Sequence, residues 1–419
     1  MSKLLEPLRI KEFRRFWFSG AISVFGDHLT FVAMPWLVLK LTGDPLAMGM
    51  VIAIAAIPRA FFMLFGGALS DRWSPRLVML ASNLLRFLLV GTLAGLTYLE
   101  AIDLPLIFVI AFLFGLADAF LFPAAGAMPP RLLEKEQLAA GNSLLQGTFQ
   151  LTVVFGPMAG GLLIAALGDT GIDGRGLTDR VALATVFALD AMTFLVSLWL
   201  LFTIRERFIP EVPVHGSFAG SILEGLRWAW RDGPIRTFML LSAGLSLVFR
   251  GPFMVGVPAL ANEHLAEGAA GYGIILSALG VGSIVGAIIA GSRKPLPYHW
   301  LGKLLLIDFM IFGAIMLLMA QVQVLVVISG AVLVAGVLDG YVIVFLTTWL
   351  QQHVPAERLG RVMSVVMFVG QGLFPISAAA AGALAGWDLL FMLMLGGTLA
   401  IAMSLFGLAI RQVRRLGFD

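Results

Sequence analysis

LVMLASNLLRFLLVGTLAGL, Leu77 to Leu96, runs for twenty residues with a single charge, Arg86. At 1.5 Å per residue a helix of that length covers about 30 Å, the thickness of the hydrocarbon layer of a bilayer. Lipid offers no partners to open backbone groups, and the stretch lacks the alternating polarity of a barrel strand. It therefore reads as a membrane-spanning helix. Just before it, FGGALSDRWSPR (Phe65 to Arg76) sets an acid, two bases, a Trp and a Pro between this run and another apolar one.

The same alternation of long apolar run and short polar turn fills the chain. Twelve spans are expected, at 16–40, 46–69, 77–98, 104–128, 139–167, 181–204, 236–260, 269–291, 301–320, 322–348, 361–385 and 388–410. Composition agrees: of 419 residues 59% are hydrophobic and 13% charged, whereas soluble domains carry about 25% charged residues. Such a chain cannot cover a water-facing surface with polar groups, and its partner is the lipid bilayer.

Lys and Arg test the topology separately, because cytoplasmic connections carry an excess of them. Of the 28, Arg59, Arg86 and Arg250 lie inside spans, and Lys40, Arg175 and Arg180 lie on one side. The remaining 22 fall in or at the edge of the termini and the even-numbered connections. Both termini are therefore expected in the cytoplasm, with the protein in a bacterial cytoplasmic (inner) membrane. The net charge of +3 follows from this asymmetry, and no basic soluble face exists for nucleic acid. The N-terminus, MSKLLEPLRIKEFRRFW, reads as something other than a cleaved signal peptide, since no short apolar core with a small-residue cleavage site precedes the first span. The absence of cysteine rules out disulfides, thiolate metal sites and cysteine nucleophiles.

The chain also repeats itself. Shifted by 221, FGLADAF (Gly115, Asp118) falls on AGVLDGY (Gly336, Asp339), and EKEQLAAGNS (134–143) falls on PAERLGRVMS (355–364). Shifted by 224, Gly49 and Gly67 fall on Gly273 and Gly291. With six spans per half, the repeat is parallel, about an axis along the membrane normal, which is a transporter architecture. The expected division is an N-terminal six-helix bundle at 1–204, a cytoplasmic linker at 205–235 and a C-terminal bundle at 236–419. The linker's Ile222, Leu223, Leu226, Trp228 and Trp230 suggest a helix lying at the interface.

With these features in place, the turn at Phe65 to Arg76 resembles the loop between helices 2 and 3 of the major facilitator superfamily. Gly67, Leu69, Ser70, Asp71, Arg72 and Arg76 match its pattern, and Ser74 and Pro75 depart from it. GDHLTFVAMPWLVLKLTG, ADAFLFPA, LAAGNSLLQG and VPAERLGRVMS are similar to the exporter branch that includes macrolide, multidrug and siderophore efflux proteins. The resemblance implies an all-α membrane protein with twelve transmembrane helices in two pseudo-symmetric bundles, the major facilitator fold. It implies a secondary active transporter working as a monomer by alternating access, with Gly67, Asp71, Arg72 and Arg76 forming a cytoplasmic gate. GPMAGG, with Gly156, Pro157, Gly160 and Gly161, resembles the antiporter signature of the superfamily. Physically, Gly156 and Gly160 permit a close helix contact and Pro157 permits a bend; the bend has a counterpart expected at Pro375.

Ionisable groups inside spans are costly and tend to face the bundle interior. There are eight: Asp27, Arg59, Arg86, Asp118, Asp190, Arg250, Asp308 and Asp339. Arg59, Arg86 and Asp118 fall at similar depth, about 10 to 16 Å from one end at 1.5 Å per residue, and are expected to meet. Arginine stays charged, so it can hold or release a carboxylate but cannot carry the proton. A moving arginine beside an aspartate is thus the minimum for proton coupling, although the same pairs could simply fasten neighbouring helices. Asp27, on a span that lines the central cavity in this family, is the leading candidate to face substrate or accept a proton. Arg250 either attracts anionic cargo or pairs with Asp27. Asp339, placed like Asp118, is expected to share its role in the other half.

No histidine has ligand-like spacing, so neither metal nor cofactor is expected. No phosphate-cradling glycine loop with Lys and Ser or Thr occurs, which excludes ATP as the energy source within this chain. No nucleophile–base pair or H-E-x-x-H is visible either, so an enzyme is not expected. The favoured reading is a proton-coupled antiporter exporting amphiphilic small molecules. Alternatives are a lysophospholipid flippase, a siderophore exporter of the same fold and a sensor without transport. In the gate, Asp71 is expected to meet the N-terminal end of span 11.

Overall fold

Four aspartates set where helices begin. Asp44 accepts from Leu46 N–H at 2.8 Å, Asp103 from Leu106 N–H at 3.0 Å, Asp232 from Ile235 N–H at 2.9 Å and Asp388 from Phe391 N–H at 2.8 Å. Each carboxylate satisfies a donor that the first helical turn leaves unpaired, and prolines at Pro45, Pro105 and Pro234 take positions where no N–H is needed.

The structure is a computed structural model describing residues 3–72, 74–168, 177–205, 226–292, 296–355, 362–363, 365–366, 368–370, 372–410 and 413. Within these, the side chains of 3–4, 63–72, 135 and 177–179 lie outside the description. Helices α1 to α6 are Lys11–Thr42, Pro45–Arg72, Pro75–Tyr98, Leu104–Ala127, Leu138–Leu167 and Leu177–Phe202. Helix α7 runs through Gly233–His264. Helices α8 to α12 are Gly268–Ser292, Leu301–Gln321, Leu325–His353, Phe374–Trp387 and Leu389–Ala409. Twelve are long and apolar enough to cross a membrane, and no strand occurs among the described residues. Large apolar side chains such as Trp199, Phe202, Val326 and Phe406 stand exposed, as lipid-facing residues do. The chain is an all-α membrane protein with twelve transmembrane helices in two pseudo-symmetric six-helix bundles.

Two compact units divide the chain. The first holds Met1–Leu41 and Ile54–His215, and the second holds Thr42–Ala53 with Gly216–Asp419. Residues of the first turns of α2 thus belong to the second unit, where Gly49 lies backbone to backbone on α11. A Cβ there would stand 2.7 Å from Ala378 O and 2.8 Å from Gly382 Cα.

Equivalent contacts recur in the two units. In the first, a Cβ on Gly115 of α4 would stand 1.9 Å from Ala55 O of α2. In the second, a Cβ on Gly336 of α10 would stand 2.5 Å from Leu279 O of α8. Ala55 and Leu279 differ by 224 positions and Gly115 and Gly336 by 221, the shifts that align the halves in sequence. Small residues let the two backbones of each pair touch.

Three stretches depart from the hydropathy reading. The valines of QVQV, 321–324, extended the tenth span to 322. Instead Val322 closes α9, its N–H bonded to Leu318 O at 2.7 Å, and α10 starts at Leu325 and continues to His353. Hydropathy counts the valines beside Gln323 as part of a span, whatever their backbone does. Second, α7 is interrupted by a π-helical segment at Ser246–Arg250. Third, of the expected interfacial helix, residues 226–231 are helical, with Leu226 and Trp230 exposed and Trp228 half-buried. Ile222 and Leu223 lie outside the described residues.

Candidate functional site

Three successive residues of α1 meet three different helices of the first unit, because each step along a helix turns the side chain by about 100°. Gly26 faces α6, where a Cβ would stand 2.1 Å from Thr193 Oγ1 and 2.2 Å from Asp190 Oδ1. Asp27 faces α3 and pairs with Arg86. His28 faces α5, where a Cβ on Gly156 would stand 2.4 Å from the His28 Cβ. One turn on, Gly160 lies against Leu29 and Val32, so the Gly156/Gly160 face brings α5 onto α1. Pro157 and Gly161 are buried within α5. Nearer the start of α1, Ser19 Oγ and Ser197 Oγ lie 2.7 Å apart, and Asn83 donates to Ser197 Oγ at 2.8 Å, tying α1, α3 and α6 together.

Arg86 is the centre of this junction. It is 1% exposed, pairs with Asp27 and lies 3.3 Å from Asp118 Oδ1. The rings of Phe114 and Phe194 cover the guanidinium at 4.9 and 4.4 Å, an arrangement that holds a desolvated cation by its faces. Asp118, itself buried, also pairs with Arg59, which is 46% exposed. Arg59, Arg86 and Asp118 thus meet as their depth suggested, and Asp27 completes a chain of alternating charge from the half-exposed Arg59 to the interior. Removing one member of such a chain strands a buried charge, which is costly.

Asp190 lies beside the chain and is 0% exposed. Its Oδ2 accepts from Thr30 Oγ1 at 2.5 Å, and its Oδ1 lies 3.1 Å from Thr193 Oγ1. The sequence counts Asp190 among the eight ionisable groups inside spans but names no partner for it. The signal available was Gly26, four residues before Thr30, since a glycine in mid-span marks where another chain approaches closely.

In the second unit the π segment of α7 is held by α11. Ser377 Oγ donates to Leu247 O at 2.6 Å and accepts from Gly251 N–H at 2.9 Å. Arg250 donates to Gly370 O at 3.1 Å and lies 5.3 Å from the Phe374 ring. Asp308 of α9 is buried, and its Oδ1 finds no hydrogen-bond partner among the described residues. Asp339 of α10 is half-buried, within electrostatic reach of both Asp308 and Arg250.

The repeat relates these groups to the first unit. His28 and Gly156, in contact, lie 223 and 221 positions before Gly251 and Ser377, also in contact. The same shifts, with 222 between Gly91 and Gly313, carry Asp27 onto Arg250, Arg86 onto Asp308 and Asp118 onto Asp339. The two halves therefore hold the same three charged positions, with sign exchanged at the first two.

The expected gate is described only in part. The backbone of Gly67 to Arg72 is helical, but the side chains of Asp71 and Arg72 lie outside the described residues, as do residues 356–361 at the expected start of span 11. Arg76 donates to Leu201 O at 3.0 Å and Phe202 O at 2.6 Å, and Arg15 donates to Thr203 O at 2.8 Å. Two guanidiniums thus satisfy the free carbonyls and partial negative charge at the end of α6. An apolar groove lined by Leu80, Leu195, Trp199 and Phe202 lies on the outer face of α3 and α6.

A family model described as Major Facilitator Superfamily matches residues 16–375. The chain belongs to the Major Facilitator Superfamily. It is 27% identical over 378 residues to a multidrug efflux pump, Tap, of Mycolicibacterium fortuitum, covering 88% of each chain. It is 25% identical to the protein of that name in Mycobacterium tuberculosis, covering 88% of this chain and 85% of that one. These relatives agree with a drug-exporter branch of the superfamily. Among solved structures, a POT family transporter in complex with a thioalcohol-conjugated peptide aligns with a TM-score of 0.71 at 13% identity, covering 96% of this chain and 95% of that one. A D-xylose–proton symporter aligns at 0.67 and 14%, covering 94% and 96%. At these identities they show the superfamily fold alone. The chain is a multi-pass membrane transporter of the Major Facilitator Superfamily.

Proposed function

We propose that this transporter is a proton-coupled antiporter that exports amphiphilic small molecules from the cytoplasm. It acts as a monomer in a bacterial cytoplasmic membrane with both termini inside. The halves, 1–204 and 236–419 joined by the linker 205–235, alternate access to a cavity. The observation that carries the reading is Arg86, a buried guanidinium shared by Asp27 and Asp118. A single cation between two carboxylates can be held by one or the other. When Asp27 takes a proton, its hold on Arg86 is lost and Arg86 shifts towards Asp118; when the proton leaves, the pair re-forms. Such a swap converts proton occupancy into a movement of α1 against α3. The small-residue contact of α5 on α1 and the efflux pumps among the relatives support the direction of transport, outward. Asp71 with Arg72 at the start of the α2–α3 turn, and Arg250 with Asp339 in the second half, are the gating and coupling groups we assign alongside.

Purified protein in liposomes with an imposed pH gradient tests this, with ethidium as cargo and an internal dye reporting protons. The expected result is ethidium movement coupled to opposite proton movement, lost in Asp27→Asn while the variant remains folded. Export that persists unchanged in Asp27→Asn would remove Asp27 from the coupling. Proton flux stimulated by lysophospholipid but not by ethidium would instead favour a lipid flippase.

A further inference from the structure

We propose that the outer groove between α3 and α6 holds one anionic phospholipid, with its phosphate on Arg76 and an acyl chain along the groove. The inference concerns a surface that the antiport reading does not use, and it stands whether or not that reading does.

Unspent positive charge at one end of the groove carries it. A guanidinium has five N–H donors in one plane. In Arg76 the Nε and Nη2 edge faces the end of α6, donating to Leu201 O at 3.0 Å and to Phe202 O at 2.6 Å. The opposite edge, with Nη1, bonds no group among the described residues. Two parallel N–H groups on such an edge match the oxygens of a phosphate. Arg15 reaches the same helix end through Thr203 O at 2.8 Å, and Arg205 stands exposed two residues further on. Among the described residues no carboxylate pairs with any of the three. The helix end itself supplies only about half a negative charge, so an anion is needed to balance this corner.

The groove begins where these cations sit. Leu80, one of its walls, follows Arg76 by four residues and so shares its face of α3, while Phe202 lines the groove and lends its carbonyl to Arg76. The cavity is about 510 Å³, within the range of pockets that hold small molecules, and its lining is wholly apolar. Trp199 and Phe202 are 67% and 73% exposed, so the groove opens sideways to lipid rather than onto packed protein. The exposed apolar face continues to Met192. From Phe202 that is ten residues, about 15 Å at 1.5 Å per residue, or half the hydrocarbon thickness. One acyl chain of one leaflet has that reach. Trp199 lies one turn in from the arginines, and its indole N–H bonds no described residue, which suits a lipid ester carbonyl beneath the phosphate. A choline or ammonium headgroup would place a further cation among the guanidiniums, whereas an anionic headgroup would not; the site therefore selects by charge.

Quenching of tryptophan emission by brominated lipid tests this on the full-length protein in liposomes. The chain has nine tryptophans, so the emission lost in Trp199→Phe, measured in each background, is the signal of the groove. Phosphatidylcholine liposomes are doped with phosphatidylglycerol or phosphatidylcholine brominated on the acyl chains. In the wild type, brominated phosphatidylglycerol is expected to quench that signal at about tenfold lower mole fraction, the gain that charge-assisted hydrogen bonds bring. In Arg76→Gln the two lipids are expected to quench it alike. Equal quenching by both lipids in the wild type overturns the proposal, and that comparison decides alone if Arg76→Gln does not fold. A preference for phosphatidylglycerol that Arg76→Gln retains overturns it as well, since the phosphate is then held elsewhere. Quenching by neither lipid would mean that protein, such as a second copy of this chain, covers the groove, and the proposal would fall.

Discussion

Gly26 separates α1 from the Asp190 pocket by the width of a hydrogen atom's place on Cα, and any larger side chain would enter Thr193 and Asp190. Gly26→Ala is therefore expected to lower stability by roughly 1–3 kcal/mol, as overpacking does, and to displace Thr30 from Asp190. Thermal unfolding of the purified protein checks the first part, and a melting temperature equal to the wild type's would contradict the geometry. The sequence placed Asp27, Arg59, Arg86 and Asp118 inside spans, the last three at related depths, because position along a span translates into depth. It could not show azimuth. Whether Asp190 faces an arginine or two threonines depends on how α1 and α6 are rotated against one another, and hydropathy is almost uniform around these helices.

At the scale of elements, α7 and α11 are joined through Ser377, which serves both Leu247 O and Gly251 N–H. Ser377→Ala removes one bond from Leu247 O and one from Gly251 N–H, a loss of about 0.5–1.5 kcal/mol per bond. Hydrogen exchange should accelerate across 246–251 and stay as in the wild type in α12; no local change would mean that the π segment keeps itself in place. Span number and most span ends were legible, since the length of an apolar run is what a bilayer selects. The π segment was not, because a change from one hydrogen-bond pattern to another leaves hydropathy untouched. The break between α9 and α10 was legible, but the start of α10 was read three residues early for a related reason, the valines at 322 and 324 being as apolar as the helices they separate.

Across the whole molecule, the repeat that sequence matches suggested is visible as equivalent contacts: Ala55 with Gly115, and Leu279 with Gly336. Gly115→Ala and Gly336→Ala each drive a methyl into a backbone carbonyl, which cannot swing aside. Comparable losses of stability are expected, about 1–3 kcal/mol in each case, measured by thermal unfolding. A large loss in one and none in the other would show that the halves do not share this seam. The pseudo-symmetry is one of position rather than of sign, with Asp27 and Arg86 answered by Arg250 and Asp308.

The π segment at Ser246–Arg250 bears on how relatives of this chain are aligned. A π turn accommodates one residue more than an α turn, so it is the footprint of a single inserted residue. An alignment of the two halves, or of this chain with a relative whose seventh helix is regular, needs a one-residue gap there. Without it, positions on one side of the segment are matched to neighbours turned by about 100°. Arg250 and Phe253 would then be compared with residues that face a different direction.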